Sequence, residues 1–227
     1  MKGKIVFILI IHAIMATACV NSKNKNTDQD EPLAKAGKTA ERALQLAGSN
    51  RDNSDSLALA VELIDQAIVL VSQSHTSDYD NLGLYHTLYG HKSQIQCCQG
   101  KFDTALATLE EAEAKYGDFW MNLFLKAIIS DFMGDTVSAG LNYERTIDYC
   151  DYKLKKMDQS TQEYLNMFVT RMTAKMLRYG KEEAKDDIGM LKGRKDYTEG
   201  SSVYYLVIGF ENWDKEAYFK SLWGIKE

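Results

Sequence analysis

Proline is almost absent from this sequence, since Pro32 is the only one among 227 residues. Because proline removes a backbone donor and breaks helices, its scarcity leaves the chain after residue 32 free to form long helices. Segments in which β-branched and polar residues alternate are also scarce, which disfavours half-buried β-strands. These two deficits predict an all-α fold.

The sequence also lacks an excess of positive charge. It contains 27 lysines and arginines against 32 aspartates and glutamates, so its formal net charge is −5. Binding to nucleic acid depends on cations that displace counterions from phosphates. An acidic chain without a polybasic cluster argues against general nucleic-acid binding, and we expect no nucleic-acid partner.

Short motifs for catalysis and cofactor binding are missing as well. There is no G-x-x-x-x-G-K-[ST] loop, no G-x-G-x-x-G, no H-E-x-x-H and no C-x-x-C. Residues 78–89 begin like a calcium loop, but Leu82 occupies a ligand position and Tyr89 stands where a bidentate glutamate is needed. We therefore predict that the protein is not an enzyme and holds no cofactor or metal.

Histidine and cysteine are few, with four of each in the chain. His86 and His91 lie five residues apart on one predicted helix, so they point about 140° apart and would not chelate one metal ion together. Cys97 and Cys98 are adjacent and cannot easily bridge each other. A disulfide from either of them to Cys150 is one possibility in an oxidising compartment, and small buried thiols are the alternative.

The N-terminus contains a targeting segment. Residues 1–4 are short and basic, residues 5–14 are apolar, and Ala16 and Ala18 provide small residues just before Cys19. This is the three-part layout of a secretory signal, and its apolar part is too short to span a bilayer. We predict a signal peptide over residues 1–18, with cleavage before Cys19.

Residues 16–19 also resemble the lipobox of bacterial lipoproteins, although Ala16 stands where a leucine is usual. The resemblance implies diacylation of the Cys19 thiol, with ordinary signal cleavage at the same bond as the alternative. Acyl chains would anchor the protein in a membrane. We expect this to be the outer membrane of a Gram-negative bacterium, with the protein on either its periplasmic or its cell-surface side. Residues 19–31 have almost no apolar content after Val20, which predicts a flexible tether.

Residues 32–227 show the periodicity of amphipathic helices. Apolar side chains recur three or four residues apart, and the breaks between such stretches often contain glycine, as at Gly100, Gly117, Gly134 and Gly180. One such stripe consists of Leu57, Val61, Ile64, Ile68 and Val71. The pattern predicts one helical domain of about eight to ten helices joined by short turns.

Two of these turns reveal an internal repeat. Gly100 and Gly134 lie 34 residues apart, and the pairs Ala105 and Ala139, Leu109 and Tyr143, and Ala112 and Thr146 keep the same offset. With small residues at Ser93 and Ala127 seven positions before each glycine, the pattern resembles the tetratricopeptide repeat, degenerate over residues 55–191. The resemblance implies an α-solenoid of antiparallel helical hairpins with a C-terminal capping helix near residues 212–223. A plain irregular helical bundle is the alternative.

In tetratricopeptide proteins the first helices of successive repeats line a partner-binding groove. The resemblance places five residues in such a groove: Gln94, Met121, Phe124, Ile128 and Asp131. It also implies a membrane-anchored, exported scaffold that binds a protein or peptide in the cell envelope. The alternative for the apolar positions is packing against other helices.

Two further features point to carbohydrate. The C-terminal region is rich in aromatic residues, including Trp213 and Trp223, which suggests either a glycan-binding lipoprotein or the core of a capping hairpin. Asp-Ser/Thr triplets around Ser56, Thr104 and Thr136 resemble an O-glycan acceptor motif of exported Gram-negative proteins. Helix N-capping by the aspartates is the alternative explanation for the triplets.

Overall fold

A computed structural model of the chain describes residues 31–74 and 78–223. The predicted signal peptide, Cys19 and nearly all of the predicted tether lie outside the described residues. Within those residues the regular elements are ten α-helices and one 3₁₀ turn, with no strand. The predicted all-α fold is confirmed.

The helices follow one another with short connections. They are α1 (Glu31–Ser49), α2 (Ser54–Ser72), α3 (Asp78–Cys98), α4 (Phe102–Tyr116), α5 (Trp120–Phe132), α6 (Thr136–Leu154), α7 (Gln162–Tyr179), a 3₁₀ turn (Lys181–Ala184), α8 (Lys185–Lys192), α9 (Ser202–Glu211) and α10 (Lys215–Trp223).

The described residues divide into two compact units, 31–125 and 126–223, with the boundary inside α5. In the first unit α1 packs on α2, α2 on α3, and α3 on α4; in the second, α6 packs on α7 and α8 on α9, with the 3₁₀ turn against both α7 and α8. Short connections between packed neighbours make these pairs antiparallel, which confirms the predicted array of helical hairpins.

The 34-residue repeat is visible in the backbone of two turns. Gly100 and Gly134 have φ angles of 73° and 85°, a left-handed conformation that glycine adopts without steric cost. In both turns the residue after the glycine donates to a carbonyl five positions back: Lys101 to Gln96 and Asp135 to Ser130, each at 2.9 Å. This is the Schellman ending of a helix, so Gly100 and Gly134 end their helices in the same way.

Side-chain caps begin several of the helices. The carboxylate or amide oxygen of Asn53 and Asp135, and the hydroxyl of Thr161 and Ser201, each accept a backbone N–H three residues further on. Of the three aspartates in the triplets, Asp135 therefore caps a helix, whereas Asn53 rather than Asp55 caps α2. Lys101 precedes helix α4 at its N-cap position and makes no side-chain capping hydrogen bond.

Candidate partner-binding surface

The structure buries most of the predicted groove residues. Met121, Phe124 and Ile128 of α5 are all buried, with Ile128 at 0% exposure, and Gln94 on α3 is partly buried. The Asp131 side chain is 10% exposed. A partner would reach the three apolar side chains only after their neighbours had moved.

Part of this burial comes from a close approach between α3 and the start of α5. A Cβ built on Gly90 would lie 3.1 Å from Asn122 Oδ1, 3.5 Å from Leu125 Cδ1 and 3.7 Å from Met121 Cε. Because Gly90 has no side chain, α3 and α5 can approach closely here. Met121 therefore packs between helices of the first unit.

His86 fixes the connection between α4 and α5 to α3. Its ring stacks on Phe119 with centroids 4.7 Å apart, and its Nδ1 lies 3.3 Å from Asn122 Nδ2. Burial lowers the pKa of His86, while a hydrogen bond with the Tyr116 backbone and the charge of Asp118 act in the opposite direction. A neutral ring suits the contact with Asn122, because an unprotonated Nδ1 accepts from the Asn122 amide.

Asp131 joins three helices of the second unit. Tyr143 on α6 donates its hydroxyl to Asp131 Oδ2 at 3.0 Å. Lys215 on α10 donates to Asp131 Oδ1 at 2.9 Å and lies 2.8 Å from Oδ2. Burial and the neighbouring carboxylate raise the pKa of Tyr143, so its phenol stays protonated and continues to donate. The predicted partner-binding carboxylate thus already holds an intramolecular cation.

Aromatic rings extend this contact. Phe132, next to Asp131 at the end of α5, has its ring centroid 6.0 Å from that of Phe219 and 6.4 Å from that of Trp223. The Lys215 ammonium also lies over the Phe219 ring, 5.7 Å from its centroid. We call Asp131, Phe132 and Tyr143 the α5-end surface; helix α10 covers it.

Five aromatic residues of α9, α10 and the turn between them form a packed cluster. Phe210, Tyr218, Phe219 and Trp223 are buried, and the Trp213 ring lies between Phe210 and Tyr218 with centroid distances of 6.1 Å and 4.7 Å. A sugar platform needs an accessible ring face, and Trp223 is only 8% exposed. The C-terminal helix that the resemblance implied is present, and its aromatic face is turned into the protein.

The three cysteines of the described region are free thiols. Cys97 and Cys150 are buried and Cys98 is partly buried. Burial raises the pKa of all three, that of Cys150 to about 12. Since the thiolate is the reactive form, these side chains pack as small apolar groups.

No group of three or more histidine, cysteine or acidic side chains within residues 31–74 and 78–223 is placed to bind a metal ion. Across the same residues, none of the helices combines the length and apolarity needed to cross a membrane. The chain matches no known protein-family model, and searches of curated proteins and of solved structures find no significant match.

Sequence reasoning missed the roles of Phe132 and Lys215. The spacing of Lys215, Phe219 and Trp223, four residues apart, indicates that one face of α10 carries a cation and two rings. That signal identifies the docking face. It does not identify the target, which lies 84 residues earlier in the chain.

Proposed function

We propose that the chain is a membrane-anchored, exported scaffold whose helical hairpins bind a protein or peptide partner in the cell envelope. The anchoring part rests on the signal-like residues 1–18 and the lipobox resemblance that ends at Cys19. The binding part rests on one observation. The α5-end surface already binds a short helix, α10 of the same chain, through a carboxylate–ammonium contact and ring contacts. Protein interfaces commonly bind a partner's helix through contacts of this kind.

The experiment is site-specific photocrosslinking in cells that express the full-length protein. A photoreactive residue replaces Met133, which follows Phe132 and is exposed, and in a second strain it replaces Leu59, which is exposed on α2. We expect one reproducible envelope protein attached at position 133 and not at position 59. Equal labelling at both positions, or no attached protein in a well-extracted membrane fraction, would contradict the proposal.

Anchoring is tested separately with Cys19→Ala. Metabolic labelling with a fatty-acid analogue should mark the wild-type protein and not the variant, and the variant should leave the membrane fraction. An unlabelled wild-type protein that is cleaved before Cys19 would indicate ordinary secretion instead of lipidation.

A further inference from the structure

Helix α10 contacts the α5-end surface with one regularly spaced face. Lys215 pairs with the Asp131 carboxylate, while Phe219 and Trp223 lie against Phe132. Positions i, i+4 and i+8 of a helix lie close to one line along its side. The face that docks is therefore defined by one lysine and two aromatic residues.

The surface beneath α10 is held in place by residues outside α10. Asp131 and Phe132 belong to α5, and the Tyr143 hydroxyl of α6 orients the Asp131 carboxylate. Tyr143 is itself almost completely buried. An acceptor and a ring face thus remain available at the α5-end surface for any helix with matching groups.

Helix α10 is weakly built as an independent element. It has nine residues, too few for a stable isolated helix, so its docked contacts maintain it. The Lys215 side chain is 47% exposed, but the Asp131 side chain is only 10% exposed, so their ion pair is half-buried. The docking of α10 on the surface therefore depends on this ion pair and on the rings of Tyr218, Phe219 and Trp223, and losing one ring should weaken it.

We propose that α10 occupies the site at which the partner binds. The α5-end surface binds an amphipathic helix of an envelope protein, and this helix carries a lysine followed by aromatic residues four and eight positions later. When it binds, it replaces α10. The inference rests on the proposed scaffold function and names the class of its partner. Charge complementarity with Asp131 and ring contact with Phe132 select such a helix.

Competition gives the inference a distinct signature. Because α10 is tethered by residues 212–214, its effective concentration at the surface reaches about the millimolar range. An external helix therefore binds weakly to the intact protein and tightly once α10 is released. A substitution that weakens the docking of α10 should strengthen binding of the external helix. A substitution in an ordinary contact residue would instead weaken that binding.

The probe is a fluorescein-labelled peptide of residues 212–227, measured by anisotropy against the purified full-length chain. Phe219→Ala removes a ring from α10 without altering the α5-end surface, and Tyr205→Ala removes an exposed ring from α9 as a matched control. We expect the peptide to bind the Phe219→Ala chain at least about tenfold more tightly than the wild type. The Tyr205→Ala chain should behave like the wild type.

A charge exchange identifies the contact. Adding Asp131→Lys to the Phe219→Ala chain should abolish binding of the peptide, and a peptide with Lys215→Glu should restore it. Far-UV circular dichroism checks that each chain is folded. If Phe219→Ala does not fold, Lys215→Glu replaces it, because a carboxylate at position 215 repels Asp131 and releases α10. Its charge-matched control is Lys195→Glu, at an exposed position after α8.

Three results would overturn the inference: equal peptide affinity for wild-type and Phe219→Ala chains, no rescue by the exchanged charges, or a stable wild-type dimer that Phe219→Ala abolishes. The dimer would assign the surface to a second copy of this chain.

In cells, Phe219→Ala should increase the yield of partner crosslinked at position 133. A partner captured equally by both chains leaves the scaffold function standing and overturns the inference. Peptide competition without any captured partner overturns the scaffold function and, with it, the partner named here, and leaves only the docking of α10 itself.

Discussion

Two helix contacts, one in each unit of the described chain, are built in different ways. In the first unit α1 and α2 meet through small side chains, and Ala36, Ala40, Ala43, Ala60 and Ala67 are all at most 2% exposed. In the second unit charged groups join the helices: Arg171 of α7 donates to Asp151 of α6 at 2.7 Å and to Asp187 of α8 at 2.5 Å. The α1–α2 contact depends on shape, whereas the contact of α7 with α6 and α8 contains a buried ion pair.

The difference determines which changes each unit tolerates. Alanines allow two helices to approach closely, so the first unit is sensitive to added volume. A buried ion pair is sensitive to the loss of one member, because the remaining charge keeps its desolvation cost without its attraction. The Asp187 side chain is 7% exposed and also contacts Lys175 at 3.3 Å, so it cannot turn to water when Arg171 is removed.

The largest effect should come from Arg171→Ala. Removing the guanidinium leaves Asp187 buried with a single, longer ion pair and also takes a cation from above the Phe168 ring. We expect a loss of about 3 kcal/mol in the free energy of unfolding. Urea denaturation measures it, and hydrogen exchange should show amides of α6–α8 losing protection while those of α1 and α2 keep theirs.

The matched control is Arg178→Ala on the same helix. Arg178 pairs with Glu144 at 2.8 Å, but both side chains are exposed to about two fifths, at 39% and 44%. Exposed pairs contribute about 0–1 kcal/mol, so this variant should be nearly as stable as the wild type. If the two arginine variants lost equal stability, the distinction between buried and exposed pairs in this unit would be wrong.

Added volume should damage the first unit by a smaller amount. Ala60 is fully buried on α2, and Leu in its place must displace neighbouring side chains, which costs about 1–3 kcal/mol. Ala58→Leu on the exposed face of the same helix should change stability by less than about 0.5 kcal/mol. Urea denaturation of both variants tests this, and a stable Ala60→Leu chain would show that the α1–α2 contact has room to adjust.

Much of the fold follows from local rules in the sequence. Glycines at 100, 117, 134 and 180 all adopt positive φ at helix ends, as their positions between apolar stripes predict. Local patterns identify a helix and its turn well because both depend on residues a few positions apart.

The candidate site could be predicted only in part. Asp131 was predicted to contact a binding partner, and in the structure it pairs with Lys215 of α10 in the same chain. A periodic pattern shows which face of a helix is apolar, and it contains no information about the distant face that covers it. Likewise, the apolar groove positions Met121, Phe124 and Ile128 have the same residue types whether they face a partner or a core, so only the structure distinguishes these cases.

The smallest effect concerns pH and the first unit. Burial holds the pKa of His86 below its ordinary value of 6.5, so in this range the unfolded chain binds a proton more readily than the folded one. The neutral ring contributes fully to the free energy of unfolding above about pH 6.5. This contribution is lost as pH falls towards the folded pKa, at no more than about 1.4 kcal/mol per pH unit.

His86→Gln removes this titration. The difference in unfolding free energy between wild type and variant, measured in urea from pH 7.5 to pH 5.0, should therefore shrink on acidification. A difference that is constant with pH would show that the folded and unfolded chains bind the His86 proton equally well, so that Asp118 and the Tyr116 backbone offset the effect of burial.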